Sequence, residues 1–181
     1  AKRIGRLPDG NSFVGRRTEA PLPGGDLFRC GSCNLSFRWP QPDTTMTAAL
    51  YEDTRVTVWS EPAAQRLEWR IIRSWVAGLS MPRPRVLDVG CNTGDLLASL
   101  GEDVAKYGVE PNRHARAAAA ERCEETWASL DDIAAGTCFD VIVATDVLEH
   151  IAEPSRFVRR MFSLLAPGGR VILATGDADA P

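Results

Sequence analysis

The second half of the chain alternates short apolar runs with segments in which apolar residues recur every three or four positions. The apolar runs predict five β-strands, at residues 85–89, 106–110, 126–130, 139–145 and 170–175. The periodic segments predict helices at residues 95–100, 114–122 and 154–165. Because alternating strands and helices with short connections form a parallel sheet wound by right-handed crossovers, the pattern predicts an α/β fold.

The first half of the chain follows different patterns. Residues 1–25 are polar and repeat Gly and Pro, which predicts an irregular arm. Bulky side chains then alternate at residues 26–30 and 34–39, which predicts a hairpin whose tip carries Cys30-x-x-Cys33. Apolar residues at helical spacing predict an amphipathic helix that begins near Ser60. The predicted buried face of that helix consists of Ala64, Leu67, Ile71, Trp75 and Leu79.

Charge is spread unevenly over these segments. Residues 1–40 carry seven basic and three acidic side chains, a net charge of +4, whereas the whole chain carries −3. The overall charge argues against bulk affinity for nucleic acid, while the basic front end leaves an RNA-binding role open. We divide the chain into a basic arm with its hairpin at residues 1–43, a linker and capping helix at 44–80, and the α/β core at 81–181.

The apolar stretches and the cysteines indicate where in the cell the protein is expected. No stretch reaches the roughly 20 apolar residues that cross a bilayer, and no charged-then-apolar leader opens the chain. The five cysteines are odd in number, and only Cys30 and Cys33 lie close together, which argues against a disulfide framework. We therefore expect reduced thiols, a cytoplasmic location and no membrane partner.

The loop after the first core strand carries the most informative motif, Asp88-Val89-Gly90-Cys91-Asn92-Thr93-Gly94. Ligands of such sheets bind beyond the carboxyl ends of the strands. A dinucleotide fingerprint reads G-x-G-x-x-G and holds a pyrophosphate, but the spacing here differs. An acid directly before the turn repels a phosphate and pairs with an ammonium group, while the glycines allow close approach and Asn92 tolerates a left-handed conformation. The motif predicts a zwitterionic or cationic ligand.

The second core strand ends in Glu110, which precedes Pro111. A carboxylate at that place offers two acceptor oxygens, which suit the two hydroxyls of a ribose. A turn that binds an ammonium group beside an acid that binds a ribose predicts S-adenosylmethionine rather than NAD as the ligand.

Four segments resemble motifs of one family. Asp88-x-Gly90-x-Asn92-x-Gly94 resembles the first motif of the class I S-adenosylmethionine-dependent methyltransferases, and Tyr107-Gly108-Val109-Glu110 resembles their second. Residues 139–150, which end in Leu148-Glu149-His150, are similar to the fourth-strand segment of the family with its Glu-His motif. Residues 164–169 are similar to the turn before the fifth strand of the family. The resemblance covers residues 85–175 and implies a Rossmann-like, doubly wound, mostly parallel sheet that lacks its last two strands, preceded by a small β-hairpin module.

The same resemblance implies a cofactor site. Asp88 and Gly90 would face the methionine part of S-adenosylmethionine, and Glu110 its ribose. Ser129, Leu130 and Asp131 would face the adenine edge, although many relatives carry an acid where Ser129 stands. The implied cofactor-binding residues are Asp88, Gly90, Cys91, Asn92, Gly94, Glu110, Pro111, Ser129, Leu130, Asp131, Asp146 and Val147.

His150 is the candidate catalytic residue. Methyl transfer is an in-line displacement from a sulfonium, so positioning of the acceptor can supply most of the acceleration and a general base is optional. By resemblance, His150 acts as that base, or Asp146-x-x-Glu149-His150 holds a divalent metal near a hydroxyl acceptor. The structural alternative is that Glu149 and His150 brace the start of the next helix.

Cys30-x-x-Cys33 has the spacing of a zinc knuckle, but tetrahedral structural zinc needs four ligands. The nearest other cysteine, Cys91, lies in the glycine turn. Relatives that carry a second C-x-x-C upstream imply a zinc ribbon of which Cys30 and Cys33 are one half. Two inert thiols are the alternative.

The resemblance implies a methyltransferase that acts on a small molecule, such as a sugar, a quinone, a lipid or a secondary-metabolite intermediate, because the family most often serves such acceptors. The alternatives are an RNA methyltransferase that uses the basic N-terminal module, and a cofactor-binding module without catalysis. Because the predicted sheet ends at an apolar strand, we also expect this edge to form a dimer or to be covered by further chain.

Overall fold

A computed structural model describes residues 1–13, 16–52 and 66–176 of the chain. The described residues belong to two compact units, one formed by residues 1–13 and 16–52 and the other by residues 66–176. No helix among the described residues is long and apolar enough to span a membrane.

The first unit consists of five short strands and one helix. They are β1 (Lys2–Leu7), β2 (Gly10–Phe13), β3 (Arg16–Leu22), β4 (Gly25–Arg29), β5 (Ser36–Trp39) and α1 (Thr44–Glu52). Strands β1, β4 and β5 form an antiparallel sheet in that order, and β2 pairs with β3. The predicted hairpin is confirmed as β4 and β5, on which the rings of Phe28 and Phe37 stack with centroids 5.8 Å apart.

The predicted irregular arm was wrong, because β1, β2 and β3 occupy most of its length. β1 obtains its ladder hydrogen bonds from β4, and Arg3 Nη2 donates to Asp26 Oδ1 across the pair at 2.9 Å. Pairing with a partner more than fifteen residues away overrides the weak strand propensity of a polar segment. Helix α1 was also not predicted.

The second unit alternates strands and helices. Its elements are α2 (Leu67–Ala77), β6 (Arg85–Val89), α3 (Asp95–Ala98), β7 (Ala105–Val109), α4 (Arg113–Ala120), β8 (Glu125–Trp127), β9 (Phe139–Thr145), α5 (Pro154–Ser163) and β10 (Leu165–Ala174). The strands form one parallel sheet in the order β10-β9-β6-β7-β8. This arrangement confirms the predicted α/β, Rossmann-like fold.

The core lies on both faces of this sheet. Adjacent residues of β6 point to opposite sides, so Val86 packs with Ile72 and Val76 of α2 on one face. Leu87 packs with Met161 and Leu164, which belong to α5 and the turn after it, on the other face. A parallel sheet covered on both sides requires apolar side chains at nearly every strand position, which is the pattern seen in the sequence.

The predicted buried face of α2 was wrong at three positions, whereas Leu79 packs against the core as predicted. Leu67, Ile71 and Trp75 are 63%, 54% and 45% exposed, whereas Ile72 and Val76 are buried. Two neighbouring stripes of this helix are apolar, so periodicity alone could not decide which one packs on the sheet. The predicted helix start at residues 60–65 lies outside the described residues.

Strand boundaries differ from the predictions by more than one residue at the end of β8 and at the start of β10. Leu130 is not the end of a strand, because β8 stops at Trp127 and Leu130–Asp132 form a 3₁₀ turn. β10 begins at Leu165 rather than at Arg170, and its pairing with β9 shifts register between these two residues. Pro167-Gly168-Gly169 therefore forms an irregularity within the strand rather than a turn before it.

Candidate active site

The glycine turn between β6 and α3 places three residues in the left-handed region, with φ of 78° at Gly90, 48° at Asn92 and 78° at Gly94. A Cβ atom on Gly90 would lie 2.5 Å from Cγ2 of Val147. The turn is tied to the end of β7, because the N–H groups of Gly90 and Cys91 both donate to the carbonyl oxygen of Val109. The side chain of Val147 therefore lies against the turn at Gly90.

Asp88 lies at the carboxyl end of β6 and is 3% exposed. Burial and, to a smaller extent, the charge of Glu110 raise the pKa of its carboxyl, the charge of Arg66 lowers it, and the net pKa is about 8. We find no hydrogen bond to this carboxylate within the described parts of the chain. A buried carboxylate without a hydrogen-bond partner is costly unless a cationic ligand pairs with it.

Glu110 follows β7 and is 8% exposed. Its Oε2 atom accepts the N–H of Asn92 at 2.9 Å, and its Oε1 atom accepts the N–H of Asn112 at 2.8 Å. Burial raises the pKa of Glu110, and these two hydrogen bonds act in the opposite direction. Because a carboxylate oxygen can accept more than one hydrogen bond, Glu110 keeps acceptor capacity for a ligand.

Cys91 is a packing residue of the turn. Its side chain is buried against Gly108, where an added Cβ would lie 2.6 Å from the Sγ atom of Cys91. Burial raises the pKa of the Cys91 thiol far above its ordinary value, and the nearby Asp88 acts in the same direction. The thiol is therefore not activated as a nucleophile.

Pro111 is exposed next to Glu110. Its carbonyl oxygen and that of Glu110 accept hydrogen bonds from Nη1 of Arg116, at 3.0 and 2.5 Å. The side chain of Asn112 caps α4 by accepting from the N–H groups of His114 and Ala115. The loop after β7 is thus held by polar contacts on both sides of Pro111.

The residues predicted to face adenine lie in the 3₁₀ turn Leu130–Asp132 and at Ser129, the residue before it. The Ser129 N–H and hydroxyl both donate to Asp132 Oδ2, at 2.8 and 3.0 Å. Asp131 pairs with Arg156 at 3.0 Å, and Leu130 is buried. The side chains of Ser129 and Asp131 are therefore engaged within the protein.

The residues after β9 do not converge on one point. Asp146, at a positive φ of 55°, forms an ion pair with Arg66, whereas Glu149 accepts a 2.8 Å hydrogen bond from the Thr175 hydroxyl. His150 is exposed in a 3₁₀ turn, Leu148–His150. Within the described residues, no three His, Cys, Asp or Glu side chains are grouped to hold a metal ion, so the metal alternative for Asp146, Glu149 and His150 gains no support.

Sequence reasoning missed Arg66, the residue before α2. Its guanidinium pairs with Glu68 and with Asp146, lies 4.8 Å from the centroid of the Trp69 ring, and lowers the pKa of Asp88. It therefore places a cation at the glycine turn and the end of β9. No local signal could have found it, because Asp146 is 80 residues away.

Cys30 and Cys33 lie in the first unit, in the turn between β4 and β5. The Cys30 N–H donates to the Leu35 carbonyl, and Asn34, with a φ of 61°, donates its N–H to the Cys30 carbonyl. Hydrogen bonds from the backbone of Cys33 and Ser32 lower the pKa of the Cys30 thiol to about 7. The part of the chain that the structure describes contains no third ligand grouped with these thiols.

Two curated relatives of this chain are methyltransferases of the same name. The chain is 34% identical over 109 residues to a ubiquinone biosynthesis O-methyltransferase from Xanthomonas campestris pv. campestris (strain B100), covering 55% of this chain and 46% of that protein. It is 35% identical over 120 residues to the enzyme of that name from Xanthomonas euvesicatoria pv. vesicatoria (strain 85-10), covering 61% and 48%. The chain thus spans about half the length of the curated relatives it matches.

Solved structures show the same fold. Magnesium protoporphyrin IX methyltransferase from Synechocystis PCC 6803, with bound S-adenosylmethionine, matches with a TM-score of 0.58 at 20% identity, covering 76% of this chain and 77% of that one. An amino pentose methyltransferase from Micromonospora echinaspora matches with a TM-score of 0.53 at 19% identity, covering 78% and 59%. The methyltransferase domain family matches residues 63–181, and the chain therefore belongs to the class I S-adenosylmethionine-dependent methyltransferases.

Proposed function

We propose that this chain binds S-adenosylmethionine at the carboxyl ends of β6 and β7 and transfers its methyl group to a small-molecule acceptor. The observation that carries the proposal is the Asp88 carboxylate, which is buried beside Glu110 and lacks a hydrogen-bond partner among the described residues. A cation is the group that such a carboxylate lacks, and the α-ammonium of S-adenosylmethionine supplies one.

The neighbouring residues fit the remaining parts of the ligand. Glu110 offers acceptor oxygens to the ribose hydroxyls, and Arg66 offers a guanidinium to the α-carboxylate. For Arg66 to do so, the ligand must compete with Glu68 and Asp146, both of which pair with it in this structure. The turn at Ser129, Leu130 and Asp131 would bound the adenine, and Asp146 and Val147 would line the sulfonium side.

S-Adenosylmethionine supplies a methyl carbon on a sulfonium, from which the lone pair of an acceptor displaces a neutral thioether. The protein has to hold the acceptor in line with that bond and to exclude water. We propose that His150, which is exposed beyond β9, takes the acceptor proton where the acceptor is a hydroxyl. A positioned imidazole can act in this way without a metal ion.

The acceptor class rests on the relatives. The two curated relatives described above are ubiquinone biosynthesis O-methyltransferases, which favours a quinone-like or other small organic acceptor over RNA. All five cysteines lie among the described residues, and none of them forms a disulfide. We therefore propose a cytoplasmic location, where thiols stay reduced.

Calorimetric titration with S-adenosylhomocysteine, the demethylated product, tests the cofactor assignment. We expect saturable binding to the wild-type chain and none to Asp88→Ala, while the matched variant Asp103→Ala, at an exposed position, binds normally. Incubation with methyl-labelled S-adenosylmethionine and a panel of phenols, amines and sugars then tests transfer. Binding without transfer to any acceptor would favour the module without catalysis.

A further inference from the structure

Arg160 connects α5 to the Leu130–Asp132 turn, which bounds the adenine in the proposed function. Its Nε and Nη2 atoms donate to the carbonyl oxygen of Leu130, at 3.2 and 3.0 Å, and Nη2 also donates to the carbonyl oxygen of Ile133 at 2.7 Å. The side chain is 27% exposed. Hydrogen bonds from a charged donor are stronger than neutral ones, and one planar guanidinium on two carbonyls fixes their relative orientation.

The turn has a second, apolar attachment. Leu130 and Ile133 are 7% and 2% exposed, and they pack in the same core cluster as Met161 and Leu164. Apolar packing fixes how deep the turn sits but not how its peptide planes are rotated, because the hydrophobic effect is not directional. The guanidinium of Arg160 supplies the directional constraint.

The backbone of this turn can take part in recognising a base. The Ser129 hydroxyl donates to Asp132, and the exposed Asp131 carboxylate lies 3.0 Å from Arg156 and 3.8 Å from Nε of Arg160. The orientation of the peptide groups between Ser129 and Ile133 then contributes to which base edge the turn can match. Arg156 cannot set that orientation, because it contacts a side chain and both partners are more than 60% exposed, so the pair is weak.

We infer that Arg160 is a positioning residue that holds the backbone of the Leu130–Asp132 turn in the orientation that selects adenine. The inference rests on the proposed function, because it requires the cofactor to bind with its base at this turn. It assigns base selectivity to a residue on α5 that does not itself touch the ligand.

The experiment compares two ligands that differ only at the base edge, S-adenosylhomocysteine and S-inosylhomocysteine, in calorimetric titrations. The variants are Arg160→Met, which keeps the apolar stem, and Arg160→Lys, which keeps one charged donor. Arg159→Met is the matched control, because Arg159 is the exposed neighbour on the same helix. Circular dichroism and thermal unfolding confirm that each variant is folded.

For the wild-type chain we expect at least tenfold preference for the adenine ligand. Arg160→Met should lower the affinity for S-adenosylhomocysteine about tenfold, the scale of lost hydrogen bonds to a charged donor, and change the inosine ligand much less. Arg160→Lys should recover part of the preference, and Arg159→Met should keep all of it. A residue that only supported overall stability would lower the affinity for both ligands alike when it is changed.

An unchanged preference in Arg160→Met, or an equal loss for both ligands, would overturn the inference while leaving the proposed function intact. Equal binding of both ligands by the wild-type chain would also overturn it. Failure of the wild-type chain to bind S-adenosylhomocysteine at all would instead overturn the proposed function and the inference with it.

Discussion

The Oε2 atom of Glu110 accepts the backbone N–H of Asn92 at 2.9 Å, so the carboxylate at the end of β7 holds the glycine turn that follows β6. Its other oxygen holds Asn112, the residue that caps α4. Glu110 thus fixes two loops at the edge of the sheet while it remains available to a ligand. A change at Glu110 should therefore affect the ligand and the shape of its site together.

Glu110→Ala should weaken the binding of S-adenosylhomocysteine by roughly 1 to 3 kcal/mol, the scale of hydrogen bonds to a charged acceptor. NADH should bind neither the wild-type chain nor the variant. Calorimetry measures both, with Glu121→Ala as a control at an exposed position of the same charge. Unchanged affinity in Glu110→Ala would show that the ribose contact is assigned to the wrong residue.

The raised pKa of Asp88 predicts proton release on binding. With a pKa of about 8, the carboxyl is mostly protonated at pH 7 in the empty site, whereas pairing with an ammonium group requires the carboxylate. Affinity for S-adenosylhomocysteine should therefore rise between pH 6 and pH 8, approaching tenfold per pH unit well below the pKa. Calorimetry at pH 7 in two buffers of different ionisation enthalpy should show the release. A heat that is independent of the buffer would exclude this linkage.

The raised pKa of Asp88 also predicts that the Asp88→Asn variant is more stable to unfolding than the wild-type chain. The pKa of Asp88 is raised from 3.8 when unfolded to about 8 when folded, so its contribution to stability is fully present below about pH 4 and is lost as pH rises through 8. Asparagine carries no charge to desolvate, so the empty variant should melt several degrees above the wild type at pH 8, with about 2 to 4 °C for each kcal/mol. The difference should shrink towards pH 4. Asp103→Asn should show no such pH-dependent gain, and a variant that melts lower at pH 8 would contradict the explanation.

How far the sequence could predict the site depends on the distance between partners along the chain. The Asp88-to-Gly94 turn and Glu110 could be identified because each motif is local and the parallel sheet brings strand ends together. Arg66 could not be identified, because only the folded chain places it beside Asp146. The face of α2 was misjudged for a related reason, since the sheet selected Ile72 and Val76 from two apolar stripes.

The lowered pKa of Cys30 predicts selective reactivity. At pH 7.5 iodoacetamide should modify Cys30 faster than Cys91 or Cys123, because burial raises the pKa of both of those thiols. Mass spectrometry of tryptic peptides over time gives the rates, and Cys33→Ala should slow the modification of Cys30 by removing one side-chain hydrogen-bond donor. Equal rates for the three thiols would contradict the difference in their environments.

The hypothesis that Cys30 and Cys33 bind zinc can be tested by metal analysis. If Cys30 and Cys33 are half of a zinc ribbon, a longer form of the protein that includes a second C-x-x-C should contain about one zinc ion per chain, and the 181-residue form should hold zinc weakly. Metal analysis of the two forms decides this. A longer form without zinc would favour the alternative of two thiols with no metal.

The last prediction concerns the edge of the sheet. β10 pairs with β9 alone among the described residues, and none of these residues pairs with the other side of β10. Leu173 on this strand is 41% exposed, and an apolar edge of this kind invites pairing with another chain. We therefore expect the 181-residue chain to self-associate through β10, and Leu173→Lys to reduce the association because a charge at an edge opposes strand pairing. Phe162→Lys, which places the same charge at an exposed apolar position of α5, should leave the association unchanged. Light scattering over a range of concentrations measures the mass directly, and a wild-type chain that stays at 19.7 kDa at high concentration would show that the open edge is tolerated in solution.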